Sequence, residues 1–551
     1  MRVPGPELCD DGGVGAIAAA GGLHLYQLRL HAEYGPVVRF QLPGVGVAVS
    51  VADPVLLEAT ARIDERPAPL FEFLAPLCEA GNLQVLGAEE HGPWRRLLLE
   101  VFAGRPSHER HFGEFVALVE ALAERWGADA GAAPGGGVAV ALQKDLTALS
   151  LRMICAYALG VGVGGGGRGS GDSGAGGAGG EIVEPDKVVE AFEDVLTEYL
   201  GRVYRVAGSE EEREEESAGQ ARAERALTYL RDTVDRVVAA HRASGRHGPD
   251  DRTDRSDRAD RSDRSDRNDQ ADRTNQADQA DQADQADRAD RADRADQADR
   301  NAQANQADRN ARADRADRAD QADRNAQPDR VDRSDLIGAL LHAGTHPARI
   351  RDTVMVTMLA AHHTTGVAVS WTLYLLGRHP EIAERVAEEL DRVLGDRTAP
   401  GYADLRRLTY LDMVLKESMR LYPPGPYGAR ETTEALRLGA YEIPAGTTLF
   451  YPFWAVHMNP DHWPEPERFR PERFTPEAVA ERARLAYIPF GIGPRGCEGA
   501  GLAMVEAELV LAVLLKRFRF RLAPGHEVTP VERFVLWAAD DIRMVVTPRD
   551  R

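Results

Sequence analysis

The sequence predicts a mainly α-helical fold with a smaller β part. Over long stretches, apolar residues recur at spacings of three and four with charged faces between them, whereas strand-like runs are short and few. A chain of 551 residues with 43% hydrophobic content can bury a large core. The predicted helices are Val188–Tyr204, Ala221–Arg242, Arg351–Leu376, Pro380–Leu394 and Gly501–Phe518, and the predicted strands are Val37–Gln41, Val45–Val51, Leu436–Ile443 and Thr447–Tyr451.

The N-terminal segment before the first predicted strand has one short apolar run, Val14–Ala20, among many glycines and the acids Asp10 and Asp11. This run is far shorter than the roughly 20 apolar residues that a helix needs to cross a bilayer. We therefore predict a flexible or weakly helical lead-in, with no membrane anchor and no signal peptide.

Charge and cysteine usage exclude several classes of protein. A formal net charge of −21 opposes binding to nucleic acid, because phosphate recognition needs clustered Lys and Arg. The four cysteines, at positions 9, 78, 155 and 497, form no C-x-x-C pair, which speaks against a disulfide framework and against a zinc knuckle. These features predict a reducing, cytoplasmic setting and an acidic surface that leaves room for a basic protein partner.

Two segments have the composition of inserts rather than of a packed core. Residues 160–180 are mostly Gly with Ser and Ala, and residues 248–334 repeat Ala-Asp-Arg or Ala-Asp-Gln with a period of three. That period matches neither the helix nor the strand, so the repeat cannot present one apolar face. The composition favours a solvated, disordered insertion, and the alternative is a charged tether or interaction arm.

The most informative stretch places Cys497 directly before the apolar helix predicted at Gly501–Phe518. It reads Phe490-Gly491-Ile492-Gly493-Pro494-Arg495-Gly496-Cys497-Glu498-Gly499. The unpaired N–H groups at a helix start and the nearby cation Arg495 favour a thiolate, which is a strong iron ligand. The glycines allow a tight turn and a close approach to a flat cofactor, and Phe490 could cover the sulfur side of its ring. The alternative for a single cysteine is a small buried hydrophobe.

This ten-residue pattern, F-G-x-G-x-R-x-C-x-G, resembles the haem-binding loop of the cytochrome P-450 family. The resemblance implies that Cys497 ligates the iron of haem b (iron protoporphyrin IX), with Phe490, Gly491, Arg495 and Gly499 in contact with the cofactor. It also implies the cytochrome P-450 fold, a triangular helical domain that encloses haem between a long oxygen-binding helix and the cysteine-loop helix. It covers nearly the whole chain outside the two inserts.

A second resemblance to the family lies on a predicted helix that ends at Tyr422-Pro423-Pro424. The apolar stripe of this helix contains Leu408, Leu411, Leu415 and Met419. A Glu and an Arg three residues apart occur on many solvated helices and carry little weight alone. By resemblance to the family, however, Glu417, Arg420 and Arg473 form a buried ionic lock behind the haem. Because a buried charge needs a partner, loss of one member should prevent haem assembly.

The long helix that contains Leu359-Ala360-Ala361-His362-His363-Thr364-Thr365-Gly366 resembles the family's oxygen-binding helix. The small Ala361 would leave room for dioxygen beside the cofactor, and the Thr364 hydroxyl would hold water for proton delivery. The sequence departs from the family at His363, where an acid is usual, and at Ala361, where Gly is usual. His363 either relays protons in place of the acid or is an ordinary polar residue at a helix bend.

Haem propionates need cations or N–H donors. His91 and Arg95 have the His-x-x-x-Arg spacing of the family's bacterial members, and Phe102 follows at the matching distance. Arg430 and Arg495 occupy other propionate-contacting positions by resemblance. The alternative for each arginine is an ordinary surface charge.

The resemblance implies a monooxygenase that inserts one oxygen atom from dioxygen into a hydrophobic small molecule, with electrons from a ferredoxin and an NAD(P)H-dependent ferredoxin reductase. Residues 160–180 lack the strand and helix that a nucleotide-binding glycine fingerprint requires, so the electrons must come from separate proteins. We expect a monomer that docks its partner near the thiolate, through Arg95, Arg96 and Arg495. The alternatives are non-hydroxylating haem-thiolate chemistry (peroxide-driven, isomerising or oxidative coupling) and a non-catalytic haem-binding protein.

The chain then divides into five parts: residues 1–159 as the N-terminal part of the P-450 domain, the Gly-rich insert 160–180, substrate-roof helices at 181–247, the repeat insert 248–334, and the haem-binding, oxygen-activating core 335–551. The expected pocket walls are residues 67–86, the helices on either side of 211–216, and residues 357–361, 424–427 and 534–537. These are largely apolar, and a composition rich in Ala, Gly and Arg suggests secondary metabolism in a GC-rich bacterium.

Overall fold

A computed structural model describes residues 3–133, 136–160, 185–204, 210–243, 335–533 and 535–549. The predicted inserts at 160–180 and 248–334 lie outside these residues, apart from Gly160, which ends a helix. The described residues form one compact unit.

The first half of the unit begins with two short helices and two strands and continues with mostly long helices. A 3₁₀ segment occupies Ala68–Leu77. The elements are α1 Val14–Ala20, α2 Leu23–Tyr34, β1 Val37–Leu42, β2 Gly46–Val51, α3 Pro54–Thr60, α4 Ala88–Phe102, α5 Arg105–Ala132, β3 Val138–Ala141, α6 Leu142–Leu159, α7 Pro185–Tyr204 and α8 Glu210–Ala243.

The second half contains the longest buried helix and a set of short strands. The elements are α9 Leu336–His342, α10 Pro347–Arg378, α11 Pro380–Leu394, α12 Tyr402–Leu405, α13 Thr409–Leu421, β4 Gly428–Glu431, β5 Leu436–Leu438, β6 Tyr441–Ile443, β7 Thr448–Tyr451, α14 Phe453–His457, α15 Pro476–Glu481, α16 Ala500–Arg517, β8 Phe518–Leu522, β9 Pro530–Arg533, β10 Val535–Ala538 and β11 Arg543–Pro548.

The strands form small sheets at the edge of the helical body. A four-stranded sheet has the order β1-β2-β7-β4, in which β2 and β7 run parallel and the other pairs antiparallel. A three-stranded antiparallel sheet has the order β3-β11-β8, and β5/β6 and β9/β10 are hairpins. The mainly α class with a smaller β part is therefore confirmed.

The core is built around α10, which packs most closely against α6. A Cβ atom added to Gly366 of α10 would lie 2.7 Å from the Cα and the N of Thr147 on α6, so the two backbones touch there. Proline at the start of α10 and the His346 ring, which accepts from Ala348 N at 3.3 Å, fix its N-terminus. This contact holds the middle of α10 in place over the cavity described below.

The structure corrects several sequence-based bounds. The predicted strand Leu436–Ile443 is a hairpin that turns at Gly439, whose φ of +59° suits glycine. The helix predicted from Ala221 begins at Glu210. Helices α4, α5 and α6 were not predicted; most of α6 is buried on every side, so it has no polar face to reveal a helical period.

Candidate functional site

A deep cavity lies between the middle of α10 and the loop that leads into α16. Its atom-free volume is about 1920 Å³, part of it open to solvent, and most of its wall is apolar. From α10 the wall includes Ala360, Ala361 and Thr364, and from the opposite loop Phe490, Gly491, Cys497 and Gly499. The cavity thus brings together the two sequence motifs that are more than a hundred residues apart.

The loop around Cys497 is held rigidly by its own backbone. Cys497 N donates to Phe490 O at 2.8 Å, and residues 493–495 form a 3₁₀ turn. Gly493 has a φ of +66°, and a Cβ atom there would lie 1.8 Å from the carbonyl oxygen of Ala61. Only glycine fits this position, so the chain can pass close to α3 and present the cysteine to the cavity.

The electrostatics of the Cys497 thiol differ from the sequence-based expectation. Burial raises its pKa, while the Gly499 N–H group and the Arg95 guanidinium lower it. Arg495 does not serve this purpose, because its guanidinium donates to the carbonyl oxygens of Asp64, Leu83 and Leu86. A helix-start N–H and a cation lower the pKa of the thiol, but the cation is Arg95 and not Arg495, and burial outweighs both. A metal cation at the sulfur would favour the thiolate.

The opposite wall is a groove on α10 lined by small side chains. The Thr364 hydroxyl donates to Ala360 O at 2.9 Å, and Ser150 from α6 donates to Ala361 O at 2.9 Å. Both hydroxyls bind carbonyl groups of α10 in the same turn, which is typical of a locally bent helix. With its proton engaged, the Thr364 oxygen can accept a hydrogen bond from the cavity side.

His363 lies away from this groove. Its ring stacks on His362 with centroids 4.1 Å apart and meets the Trp537 ring edge-on at 5.1 Å. Neither His363 nor Trp537 is among the described residues that line the cavity. For Trp537 this corrects the sequence-based prediction, which placed it in the pocket wall. Burial lowers the pKa of His363 to about 4, so its ring is neutral at neutral pH. Its relay role stays a prediction.

Sequence reasoning missed Glu506, a buried carboxyl on α16 that lines the same cavity. It is hydrogen-bonded to Thr365, the neighbour of Thr364, and burial raises its pKa to about 8. Glu506 Oε1 has no partner among the described residues. The available signal was an acid inside the otherwise apolar face of the helix that follows the cysteine loop.

The predicted anion-binding residues divide into two groups. Arg430 and Arg495 line the cavity. His91 instead contacts Asp64, with Nδ1 and Oδ1 2.8 Å apart, and Arg95 donates to Gly496 O at 2.6 Å and pairs with Glu498. A further arginine, Arg66, lines the cavity and was not predicted.

Comparisons with known proteins agree with this geometry. A family model described as cytochrome P450 matches residues 301–545. The chain is 39% identical over 204 residues to "Cytochrome P450 4c3" of Drosophila melanogaster, covering 36% of this chain and 38% of that protein. It is 37% identical over 198 residues to "Cyclooctat-9-en-7-ol 5-monooxygenase" of Streptomyces melanosporofaciens, covering 35% and 43%. Each match thus spans about two fifths of the relative.

A solved structure titled "Crystal structure of cytochrome P450DA heme domain" superimposes with a TM-score of 0.72 at 19% identity, over 100% of this chain and 98% of that chain. The fold of the described unit is therefore the P450 fold, as predicted.

Residues 301–545 are thus similar to the cytochrome P450 family, and the described unit has the P450 fold.

The P450 family and its fold bind haem b, and the cavity fits this group. The Cys497 side chain reaches the cavity from a loop in which glycines leave room for a flat ring. Small residues of α10 line the facing wall, and three guanidiniums (Arg66, Arg430 and Arg495) line the same cavity. A sulfur ligand, an apolar slot and clustered cations together match an iron porphyrin with two carboxylates.

The three residues of the predicted P450 ionic lock meet in the structure. Arg420 donates to both carboxylate oxygens of Glu417, at 2.7 and 2.8 Å, and both side chains are fully buried. Arg473 Nε lies 3.2 Å from Glu417 Oε1. Two further Arg420 bonds, to His457 O at 3.0 Å and Arg468 O at 3.2 Å, tie α13 to the segment that precedes the cysteine loop.

The prediction that a redox partner docks through Arg95, Arg96 and Arg495 is partly corrected by the structure. The Arg495 side chain has 0% exposure, and the Arg95 side chain has 17% and is paired with Glu498, so neither offers a free surface charge. Arg96 is exposed as expected. Among the described helices, none is long and apolar enough to cross a membrane. The expected pocket-wall residue Phe534, and the side chains of residues 211–216, lie outside the described residues.

Proposed function

We propose that this protein is a haem-thiolate monooxygenase that inserts one oxygen atom from dioxygen into a hydrophobic small molecule. The observation that carries the proposal is that Cys497 and the small-residue groove around Thr364 line one cavity. The support from relatives is the family-model match and one relative that is named as a monooxygenase.

In this proposal Cys497 and its loop hold the haem, and the haem supplies dioxygen activation when it is bound. The Thr364 hydroxyl donates to Ala360 O, and its oxygen accepts a hydrogen bond from a water in the groove. Glu506 carries a proton at neutral pH, and its hydrogen bond to Thr365 places a neutral acid beside the groove. The apolar wall limits water access, which favours productive use of dioxygen.

The substrate proposal rests on the character of the cavity wall. Phe71, Leu74, Val356 and Leu359 are among the residues that line the cavity. An apolar wall of this kind favours a hydrophobic ligand whose orientation is fixed by a few polar groups. A hydrophobic metabolite, in a pathway of secondary metabolism, is the class of substrate that we propose.

The proposed electron donors are a ferredoxin and its NAD(P)H-dependent reductase, acting on a monomer in the cytoplasm. The net charge of −21 and the exposed Arg96 favour a docking site of mixed charge rather than a uniformly basic one. The expected salt dependence of reduction is therefore modest, and steady-state turnover measured at increasing ionic strength checks it.

The first test is the absorption spectrum of the dithionite-reduced, carbon-monoxide-bound protein beside that of a Cys497→His variant. Thiolate ligation gives a strongly red-shifted Soret band that is absent in the variant. Cys155→Ser is a matched control, since Cys155 is buried and does not line the cavity. Product analysis with ¹⁸O₂ and a reconstituted redox chain then tests oxygen insertion. Failure of the wild-type protein to take up haem would refute the proposal.

A second candidate, peroxide-driven or other non-hydroxylating haem-thiolate chemistry, is favoured by the position of His363. The family's usual acid is replaced there, and the ring packs on His362 and Trp537 instead of the groove. A peroxide-driven enzyme receives its oxygen and protons together and has less need of a relay. Turnover with hydrogen peroxide that exceeds turnover with dioxygen and reductant would favour this candidate.

A further inference from the structure

One side chain in the loop between the 3₁₀ segment and α4 brings an unused hydrogen-bond donor to the cavity. Asn82 lines the cavity and is fully buried, with 0% exposure. Its amide oxygen accepts from Gln84 N at 2.9 Å, whereas its amide nitrogen, Nδ2, has no hydrogen-bond partner among the described residues. A buried donor of this kind is unfavourable, because it has lost its bond to water without gaining another. An occupant of the cavity can supply the missing acceptor.

The direction of the Asn82 amide is fixed by the turn that it closes. A backbone N–H group only donates, so the side-chain atom that faces Gln84 N is the amide oxygen. A flipped amide would instead place its NH₂ group against the Gln84 N–H group. The Asn82 carbonyl oxygen also accepts from Val85 N and Leu86 N, at 3.2 Å each. The NH₂ group therefore has its direction before any ligand binds.

The loop that carries Asn82 is anchored to both walls of the cavity. The N–H groups of residues 79 and 80 donate to the buried Asp352 carboxylate on α10, at 2.6 Å each. The carbonyl oxygens of residues 83 and 86 accept from Arg495 of the cysteine loop, at 3.0 and 2.6 Å. Asn82 lies between these two anchor points in the chain, so the loop holds it beside the cavity.

The surroundings of Asn82 indicate which ligand chemistry its donor suits. Leu74, Leu83 and Leu98 line the same cavity, and an apolar wall disfavours the burial of a charged group. A carboxylate would be matched better by a guanidinium than by a neutral amide. In a largely apolar site, one placed donor of this kind fixes the orientation of a ligand. The acceptor that fits is a neutral carbonyl, hydroxyl or ether oxygen on an otherwise hydrophobic molecule.

We propose that Asn82 Nδ2 donates a hydrogen bond to a neutral oxygen atom of the substrate. The inference rests on the proposed function and narrows its substrate class to hydrophobic molecules that already carry such an oxygen. Asn82 binds and orients the substrate and takes no part in the chemical step. Because one end of the substrate is held at Asn82, the position of that oxygen decides which carbon atom is presented for oxidation.

The test uses a ligand that is held at the cofactor by one end. The holoenzyme is titrated with 1-dodecylimidazole, whose ring nitrogen binds ferric haem and shifts the Soret band. It is also titrated with analogues in which successive chain methylenes are replaced by a carbonyl group. At one carbonyl position, the affinity of the ketone relative to the parent probe should be about 3- to 10-fold higher in wild type than in Asn82→Leu.

Two further variants separate the donor from the turn. Asn82→Asp keeps an oxygen for Gln84 N and loses the NH₂ donor, so it should lose the same preference for the ketone. Asn459→Asp is the matched control and should keep it. Asn459 also accepts through its amide oxygen from an N–H two residues on, Asp461 N at 3.0 Å, but it is not among the described residues that line the cavity. Circular dichroism and the carbon-monoxide Soret band show that each variant is folded and thiolate-ligated.

Three outcomes would overturn the inference. If no carbonyl position is favoured in wild type, the cavity has no donor for a substrate oxygen. If the preference persists in both Asn82 variants, another group is the donor. If both Asn82 variants instead release haem faster to excess apomyoglobin and the preference is unchanged, Asn82 holds the cofactor. The proposed function itself fails if wild type binds no haem or if the parent imidazole does not shift the Soret band, which distinguishes the two failures.

Discussion

Replacement of Arg420 by Met should destabilise the protein far more than replacement of a similar but exposed arginine. Arg420 makes two charge-assisted bonds to Glu417, at 2.7 and 2.8 Å, and two more to the carbonyl oxygens of His457 and Arg468, at 3.0 and 3.2 Å. Glu417 has 0% side-chain exposure, so its charge cannot reach water once Arg420 is removed. Breaking a buried pair in this way costs about 3–5 kcal/mol, a large part of the stability of a typical domain.

The matched control is Arg468→Met. Arg468 also pairs with an acid three residues away, Glu465, at 2.9 Å, but the two side chains are 68% and 52% exposed. An exposed pair of this kind contributes about 1 kcal/mol or less. Urea unfolding followed by far-ultraviolet circular dichroism gives the free energy of unfolding, and the haem absorbance ratio gives cofactor retention. Equal destabilisation by the two variants would refute the assignment of Glu417 and Arg420 as a structural lock.

Three other predictions address the cavity. Thr364→Ala should lower product formed per dioxygen consumed by about 10²-fold, because the proton-handling hydroxyl is lost, whereas Thr357→Ala, on the same wall, should change it little; equal effects would contradict the role of Thr364. Because the folded-state pKa of Glu506, about 8, lies above its usual 4.5, its stabilising contribution is complete below pH 4.5 and is lost as the pH rises to about 8. The Glu506→Gln variant should therefore become more stable relative to wild type between pH 5 and 8 in thermal unfolding, and parallel pH profiles would argue against a buried protonated carboxyl. Gly525→Ala, at a φ of +74° in open space, should lower the free energy of unfolding by about 1–2 kcal/mol. Gly493→Ala should abolish haem uptake, because its Cβ would lie 1.8 Å from a backbone oxygen. A normal haem content in Gly493→Ala would refute this close approach.

The cysteine loop shows why some parts of the site could be found from the sequence. Its geometry depends on contacts within ten residues, such as the Cys497 N to Phe490 O bond, and on a glycine at a positive φ. The pairing of Glu417 with Arg420 is equally local, because residues three apart on a helix are neighbours. Features of this kind can be predicted from the sequence because they depend only on residues that are close together in the chain.

The direction of each charged side chain was decided only by packing. Arg495 stands beside Cys497 in the sequence, yet its guanidinium binds carbonyl groups of residues 64, 83 and 86, while Arg95 reaches the cysteine loop from α4. Arg66 carries no motif and gains its place in the cavity from the turn between α3 and the following 3₁₀ segment. Sequence patterns give no signal for such positions, since each depends on distant segments.

The amino-acid sequence by itself determined the fold class, the glycine loop that presents Cys497 to the cavity and the ionic pair on α13, because helical periodicity, a tight glycine loop and neighbouring residues on one helix are local properties. Only the tertiary structure decided that His363 packs on Trp537 rather than in the groove, and that Glu506 meets Thr365 from another helix. These contacts join residues that are far apart in the chain. The close packing of α6, α10 and α16 fixes the direction in which each side chain points, and the sequence alone does not predict that direction.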